Sequence, residues 1–564
     1  VISARSRIYL AVLAAAVAVA YANALRAPFI WDDFDLIVNN PLLRSWSNLP
    51  EVFRTNPFGY GFDLGRYYRP IQTLSFLVGY QIWGAHPFGF HLVNVLLHLV
   101  NVGLAFFLLR RLGFSEGLAF GVALVFAVHP ITVECVTFIA VRGDLLLFLF
   151  SALAFLALLA GENRRYGYPL AVLFALLALL TKESAVVLAP ILALYLVLLQ
   201  GRKTPRGQKL TVGLIGILTV AYIGIRFGMH LGKVAPKPLS NIAYAAPWQR
   251  WLTLPKILVT DVRLLLFPHP VHTEYQFVER SPATPYLWLG LPLLALAVAL
   301  AMRKVEPRRL GWFLLLWFLV GLAPFTQVAV PLAQTLAERW LYFPSLGFLG
   351  LIGLLAAQYF RRVARREIRV GILAFAGLAV VLLAATTISR NRDWQDSIRL
   401  FSHDLVYAPD SFLLHHNLGV AQAQAGDLDA AKRSILASIA VTPGPGYGTA
   451  HNSLGAVLES QDDLEGALRE YRESVRLSRY YLAYANLGRL LLHFGKKEEA
   501  IHVLQEGLQY YPQDLDLYYY LGYAYVRESR WDEGESVWKK LQAMSPGYRD
   551  VPELLAELAK RPGR

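Results

Sequence analysis

The sequence predicts an all-α protein in two parts, a multi-pass membrane half followed by a helical repeat array. Three observations carry this. Apolar stretches near 20 residues recur through the first 390 residues, a Leu-Gly pair recurs at steps of 33 to 36 residues after them, and the charge balance reverses between the two parts. Residues 1–390 hold 35 Lys and Arg against 16 Asp and Glu, whereas residues 391–564 hold 19 against 24. The chain is 55% hydrophobic and 17% charged, and soluble domains run near about 25% charged. These values argue against an ordinary soluble protein. The basic surplus needs no nucleic-acid partner, because membrane topology uses it. One cysteine, Cys135, excludes an intrachain disulfide and a cysteine-built metal site.

Eleven apolar segments fit spans, about 8–25, 87–109, 114–129, 143–160, 168–181, 184–200, 209–226, 284–302, 310–328, 341–360 and 370–388. Short basic loops such as Arg110-Arg111, Arg164-Arg165 and Arg361 to Arg369 alternate with loops of mixed charge. Positive-inside orientation then puts the N-terminus in the cytoplasm and the C-terminal part outside. Residues 249–267 are apolar but carry Lys256, Asp261 and Arg263, so an interfacial helix on the outer side is expected there, and likewise at 71–83. Ala22-Asn23-Ala24 looks like a signal-peptidase site, but the ten spans that follow favour an uncleaved anchor.

The division is expected at 390/391. Beyond it, Leu418-Gly419, Leu454-Gly455, Leu487-Gly488 and Leu521-Gly522 recur. Twelve residues after each glycine comes a small residue (Ala431, Ala467, Ala500, Gly534), and four further a bulky one (Ile435, Tyr471, Leu504, Trp538). This is the tetratricopeptide signature, with small residues where paired helices cross. A half repeat, Trp394 to Pro409, precedes the four full ones, and the array predicts a concave surface for a peptide or protein partner. Tyr518, Tyr519, Tyr520, Tyr523 and Tyr525 crowd one helix, as packing between repeats or as a binding face.

Ionisable residues gather at the outer membrane face, where they are functional candidates. The first outer loop, 26–70, opens on Trp31-Asp32-Asp33 and closes on Arg66-Tyr67-Tyr68-Arg69-Pro70. A carboxylate pair there either holds one member ready as a base or caps a helix. His91, Asn94, His98 and Asn101 make one polar stripe. His129, Glu134, Arg142 and Asp144 form a second cluster, and Lys182-Glu183 and Glu338-Arg339 sit in hairpins. No HExxH, GxxxxGK[ST] or GxGxxG pattern appears, so neither a metal nor a nucleotide is indicated. Acids that activate a nucleophile beside cations that hold an anion suit a lipid phosphate, whose tail stays in the bilayer while its head reaches these loops.

The run Tyr68-Arg69-Pro70 resembles one motif of the transmembrane-and-tetratricopeptide O-mannosyltransferases of the cadherin-targeting type. Phe90-His91-Leu92-Val93-Asn94 with His98 is similar to the next, and the stretch from His129 through Glu134 to Arg142-Gly143-Asp144 to a third. Lys182-Glu183 and Glu338-Arg339-Trp340-Leu341-Tyr342 resemble two more. The resemblance implies a GT-C glycosyltransferase fold over 1–390, related to protein O-mannosyltransferases, with a polyprenyl-phosphate sugar as donor and inversion at the anomeric carbon. It implies Asp32 or Asp33 as catalytic base and Arg339 as the foremost phosphate ligand. Ala140-Val141-Arg142 departs from the glycine expected before that arginine, and Ser184 follows Lys182-Glu183 where a small spacer and glycine are common.

The function expected is transfer of a hexose, mannose, to Ser or Thr hydroxyls of a protein on the extracytoplasmic side. Arg69, Arg142 and Lys182 join Arg339 as phosphate candidates, and His91, His129, Glu134, Asp144, Glu183 and Glu338 form the supporting polar cluster. The Ala-, Leu- and Arg-rich composition points to a bacterial inner membrane with the repeats in the periplasm. The alternatives are a transferase for a glycan or lipid acceptor, or a membrane-anchored repeat scaffold without enzymatic activity.

Overall fold

The computed structural model describes residues 3–55, 67–230, 240–444, 446–478 and 480–560. The middle of the 26–70 loop, with Arg66, lies outside the described residues. Among them the structure is helical throughout, apart from one antiparallel bridge between Tyr275 and Leu336.

All eleven apolar segments are helical, and eight helices among the described residues are long and apolar enough to cross a membrane. The other three deviate for local reasons. Glu116–Val128 meets Pro130–Thr137 at a 56° bend. Pro130 cannot donate a backbone N–H there, and the His129 ring instead accepts from the Ile131 N–H at 3.3 Å. Gly167–Leu179 has only 13 residues, and Ser345–Arg362 ends on Arg361-Arg362. The expected interfacial segments are the helices Pro247–Leu266 and Pro70–Trp83. The first is 20 residues long, yet its four charges, Arg250, Lys256, Asp261 and Arg263, keep it out of the eight. Its Trp248 and Trp251 are exposed.

The first and last apolar helices join at their C-terminal ends. The Asn391 amide donates to the Ala20 carbonyl at 2.8 Å, and the Asn23 amide to the Ile388 carbonyl at 2.9 Å. The last span runs 28 residues, Arg366–Asp393, and Ser397–Tyr407 follows it. Arg390 donates to both oxygens of Asp404 at 2.7 and 2.9 Å, and Asp404 also accepts from the Thr273 N–H and hydroxyl at 2.8 Å each. The chain divides into two compact units between Ala408 and Pro409, so residues 391–408 group with the membrane half.

The second unit is a stack of helix pairs, and its spacing rule has a steric cause. A Cβ on Gly419 would lie 2.5 Å from Ile435, on Gly455 2.7 Å from Tyr471, on Gly488 2.5 Å from Leu504, and on Gly522 2.1 Å from Trp538. Each glycine is therefore the slot for the bulky residue sixteen positions later. We expect Gly522→Ala to lower stability by about 1–3 kcal/mol through overpacking, seen as a lower unfolding midpoint of the repeat unit. The tyrosine cluster packs within the array. Tyr518 and Tyr525 are buried, and Tyr519 and Tyr523 both donate to Asp550, at 2.8 and 3.1 Å.

Candidate active site

The acidic segment after the first span is held rigidly. Trp31 has a left-handed backbone, φ 58°, a conformation costly for a bulky residue. Its indole stacks on Phe138 at 5.8 Å and meets the Phe401 ring edge-on at 6.1 Å. Asp33 is 1% exposed and accepts from the Ile30 N–H at 3.1 Å and the Ala140 N–H at 2.8 Å. It staples residues 30–33 to 138–140. Asp32 is partly exposed, and its carboxylate takes no hydrogen bond among the described residues. Burial and the neighbouring Asp35 charge raise the Asp32 carboxyl to about 6, and the Arg339 and Arg69 charges restrain it from rising further. Asp35, which the sequence reading did not single out, is raised to about 6 by burial.

The cations differ in what they offer. Arg142 is 0% exposed, its guanidinium between the Phe76 and Phe90 rings. Its N–H groups go to Asn94 Oδ1 at 2.7 Å, the Phe90 carbonyl at 2.9 Å and Ser75. Lys182 is buried on Asp144, 2.6 Å from both carboxylate oxygens. Arg69 pairs with Glu183 at 2.9 Å and lies 4.6 Å over the Tyr67 ring. Arg226, another residue the sequence reading passed over, reaches the same Glu183 at 3.7 Å. Arg339 keeps a fifth of its side chain exposed. Glu134 accepts from both its guanidinium and its backbone N–H, the latter at 2.9 Å.

The rest of the polar cluster is engaged or enclosed. The Glu338 carboxylate accepts from the His272 N–H and the Tyr275 hydroxyl at 2.7 Å each. Burial pushes the Glu338 carboxyl up to about 8. His129 contacts the Leu265 carbonyl at 3.1 Å through Nε2, which fixes a neutral tautomer donating there, since its Nδ1 accepts from Ile131. His91 is buried among the first loop and its own helix. His98 and Asn101, lower on the polar stripe, meet the Tyr342 hydroxyl at 2.8 and 3.2 Å and so join spans through hydrogen bonds. Among the described residues, no three His, Cys, Asp or Glu side chains converge to hold a metal. Among the described residues Asp32 and Asp35 thus keep carboxylates free of hydrogen bonds, Asp32 in the field of Arg339 and Arg69, whereas Asp33, Glu134, Asp144, Glu183 and Glu338 are tied down.

Residues 72–224 match the family described as dolichyl-phosphate-mannose-protein mannosyltransferase, and residues 416–481 and 485–549 match the tetratricopeptide repeat. Protein O-mannosyl-transferase F38B6.6 of Caenorhabditis elegans is 26% identical over 75% of this chain and 61% of its own length. Human protein O-mannosyl-transferase TMTC1 is 27% identical over 90% of this chain and 63% of its own, and mouse TMTC3 25% over 96% and 61%. The chain therefore spans somewhat under two thirds of the length of these relatives. Among solved structures, a MamA protein overlays on 27% of this chain and 81% of its own with a TM-score of 0.24 at 21% identity, too loose a fit to carry an argument. With a mannosyltransferase-like membrane segment ahead of its repeats and similarity along most of its length, the chain is a relative of the transmembrane-and-tetratricopeptide protein O-mannosyl-transferases.

Proposed function

We propose that the protein transfers mannose from a polyprenyl-phosphate donor to Ser or Thr hydroxyls of a protein acceptor on the extracytoplasmic face, with inversion. The observation that carries this reading is Asp32, whose carboxylate takes no hydrogen bond among the described residues and lies in a field set by Arg339 and Arg69. Asp32 takes the proton of the acceptor hydroxyl, whose oxygen bonds to sugar C1 from the face opposite the phosphate. The C1–O bond to the phosphate breaks, and the phosphate leaves with the electron pair. Arg339, with Arg69 behind it, stabilises the charge developing on that leaving group. Asp33 holds the loop and does not act on the substrate. Lys182 and Arg142 shape the site through Asp144 and Asn94. The membrane half carries the chemistry and the repeats recruit the acceptor.

The test is transfer by purified protein in detergent, supplied with radiolabelled polyprenyl-phosphate mannose and a periplasmic extract. Label in protein bands supports the proposal. Label in lipid or glycan would keep the mechanism and overturn the acceptor. Absence of transfer, donor binding and donor hydrolysis across several sugars would leave only the scaffold.

A base must be ionised to act, so kcat/KM should fall about tenfold per pH unit below about 6. Asp35→Asn removes the like charge that raises Asp32, and the acid limb of the pH–rate profile should move to lower pH. A limb that stays in place in this variant would show that Asp35 does not tune the base.

A further inference from the structure

The Arg339 guanidinium is held from two sides by unlike partners. On one side is the Glu134 carboxylate, on the other the neutral amide of Gln334, whose Oε1 accepts from Nη2 at 2.5 Å. Gln334 is buried, 4% exposed, and its amide has one sensible orientation. Its Nε2 donates to the Thr273 carbonyl at 3.0 Å and to the Glu274 carboxylate, so both acceptors lie on the nitrogen side and the cation on the oxygen side. Glu274 is itself fully buried and accepts from the Gln276 amide at 3.1 Å. The loop around Gln334 is stapled by Gln327, whose amide donates to the Gln334 and Thr335 carbonyls at 2.7 and 3.1 Å.

A single carboxylate in contact already balances the charge of Arg339, with Asp144 and Glu274 acting on it from further away. A second carboxylate in contact would make the cluster net negative and repel an anion. An amide at that place restrains the geometry and adds only a dipole. Burial pushes the Glu274 carboxyl up to about 7, which further limits the negative charge behind the relay. We propose that Gln334, oriented by Glu274 and Thr273, is a positioning residue that aims Arg339 at the donor phosphate without placing a second negative charge against it. This rests on the reading of Arg339 as a donor ligand.

The experiment uses the full chain in nanodiscs, with polyprenyl phosphate for equilibrium binding and polyprenyl-phosphate mannose for steady-state kinetics. The informative variant is the exchange Glu274→Gln with Gln334→Glu, which keeps the same atoms almost in place and moves the carboxylate onto Arg339. The single variant Gln334→Glu is its companion, and Arg339→Lys is the reference. For the exchange we expect polyprenyl-phosphate affinity to fall about tenfold and donor KM to rise more than kcat falls, with a lowered unfolding midpoint because the Thr273 carbonyl loses its donor. Wild-type donor affinity in the exchange, with weakened binding in Arg339→Lys, would overturn the role of Gln334 alone. Unchanged binding in both would overturn Arg339 as donor ligand and this inference with it. A loss confined to kcat would also overturn it.

Discussion

Asp32→Asn should abolish measurable sugar transfer, a fall of about two to four orders of magnitude in kcat, the range associated with a positioned general base. Asparagine fits the same space and cannot accept the hydroxyl proton. Because the Asp32 carboxylate takes no hydrogen bond among the described residues, the fold has little to lose and donor binding should persist. Asp33→Asn should behave in the opposite way. The asparagine NH2 would face one of the two backbone N–H groups that Asp33 now accepts, from Ile30 and Ala140. We expect about 1–3 kcal/mol lower stability, read as a lower unfolding midpoint, with transfer per folded molecule largely retained. Equal loss of turnover in both variants, each with a wild-type midpoint, would refute this division of labour.

Arg339→Ala should reduce kcat/KM for the donor by about 10²–10³-fold, as expected for losing a cation at a developing phosphate charge. Alanine would also leave the buried Glu134 carboxylate unpaired, a change that destabilises by about 3–5 kcal/mol. Arg339→Lys separates the two effects. Lysine keeps a charge for Glu134 but cannot bridge Glu134 and Gln334 with a planar fork. It should fold like the wild type while losing donor affinity. Steady-state donor titrations of both variants, beside their unfolding midpoints, check this. Normal donor KM in Arg339→Lys would put the phosphate elsewhere, with Arg69 and Arg226 the next cations to change.

The membrane half and the repeats were legible in the sequence because their signals are periodic. Apolar length marks a span, and the interval from Gly522 to Trp538 is a steric fact repeated in each helix pair. The Asp32-Asp33 pair was legible as a candidate, but its two roles were not. They depend on Ala140, more than a hundred residues away, donating to Asp33 alone. Lys182 and Arg142 read as free cations because their partners Asp144, Asn94 and Phe90 are remote in the chain. Gln334 carries no sequence signal at all, since a glutamine in a loop gains meaning only from what lies on either side of its amide. The bend at His129-Pro130 was foreshadowed by the proline, and the short Gly167–Leu179 helix by nothing so local.

The clamp that Asp404 makes with Arg390 and with Thr273 bears on where the gene can be cut. A membrane fragment ending at 390 would be made without Asp404, leaving a buried guanidinium with no counterion and the Thr273 N–H without its acceptor. Such a fragment should be degraded or aggregate. One ending at 408 keeps the clamp whole, and it is the shorter chain on which the membrane half can be studied free of its repeats.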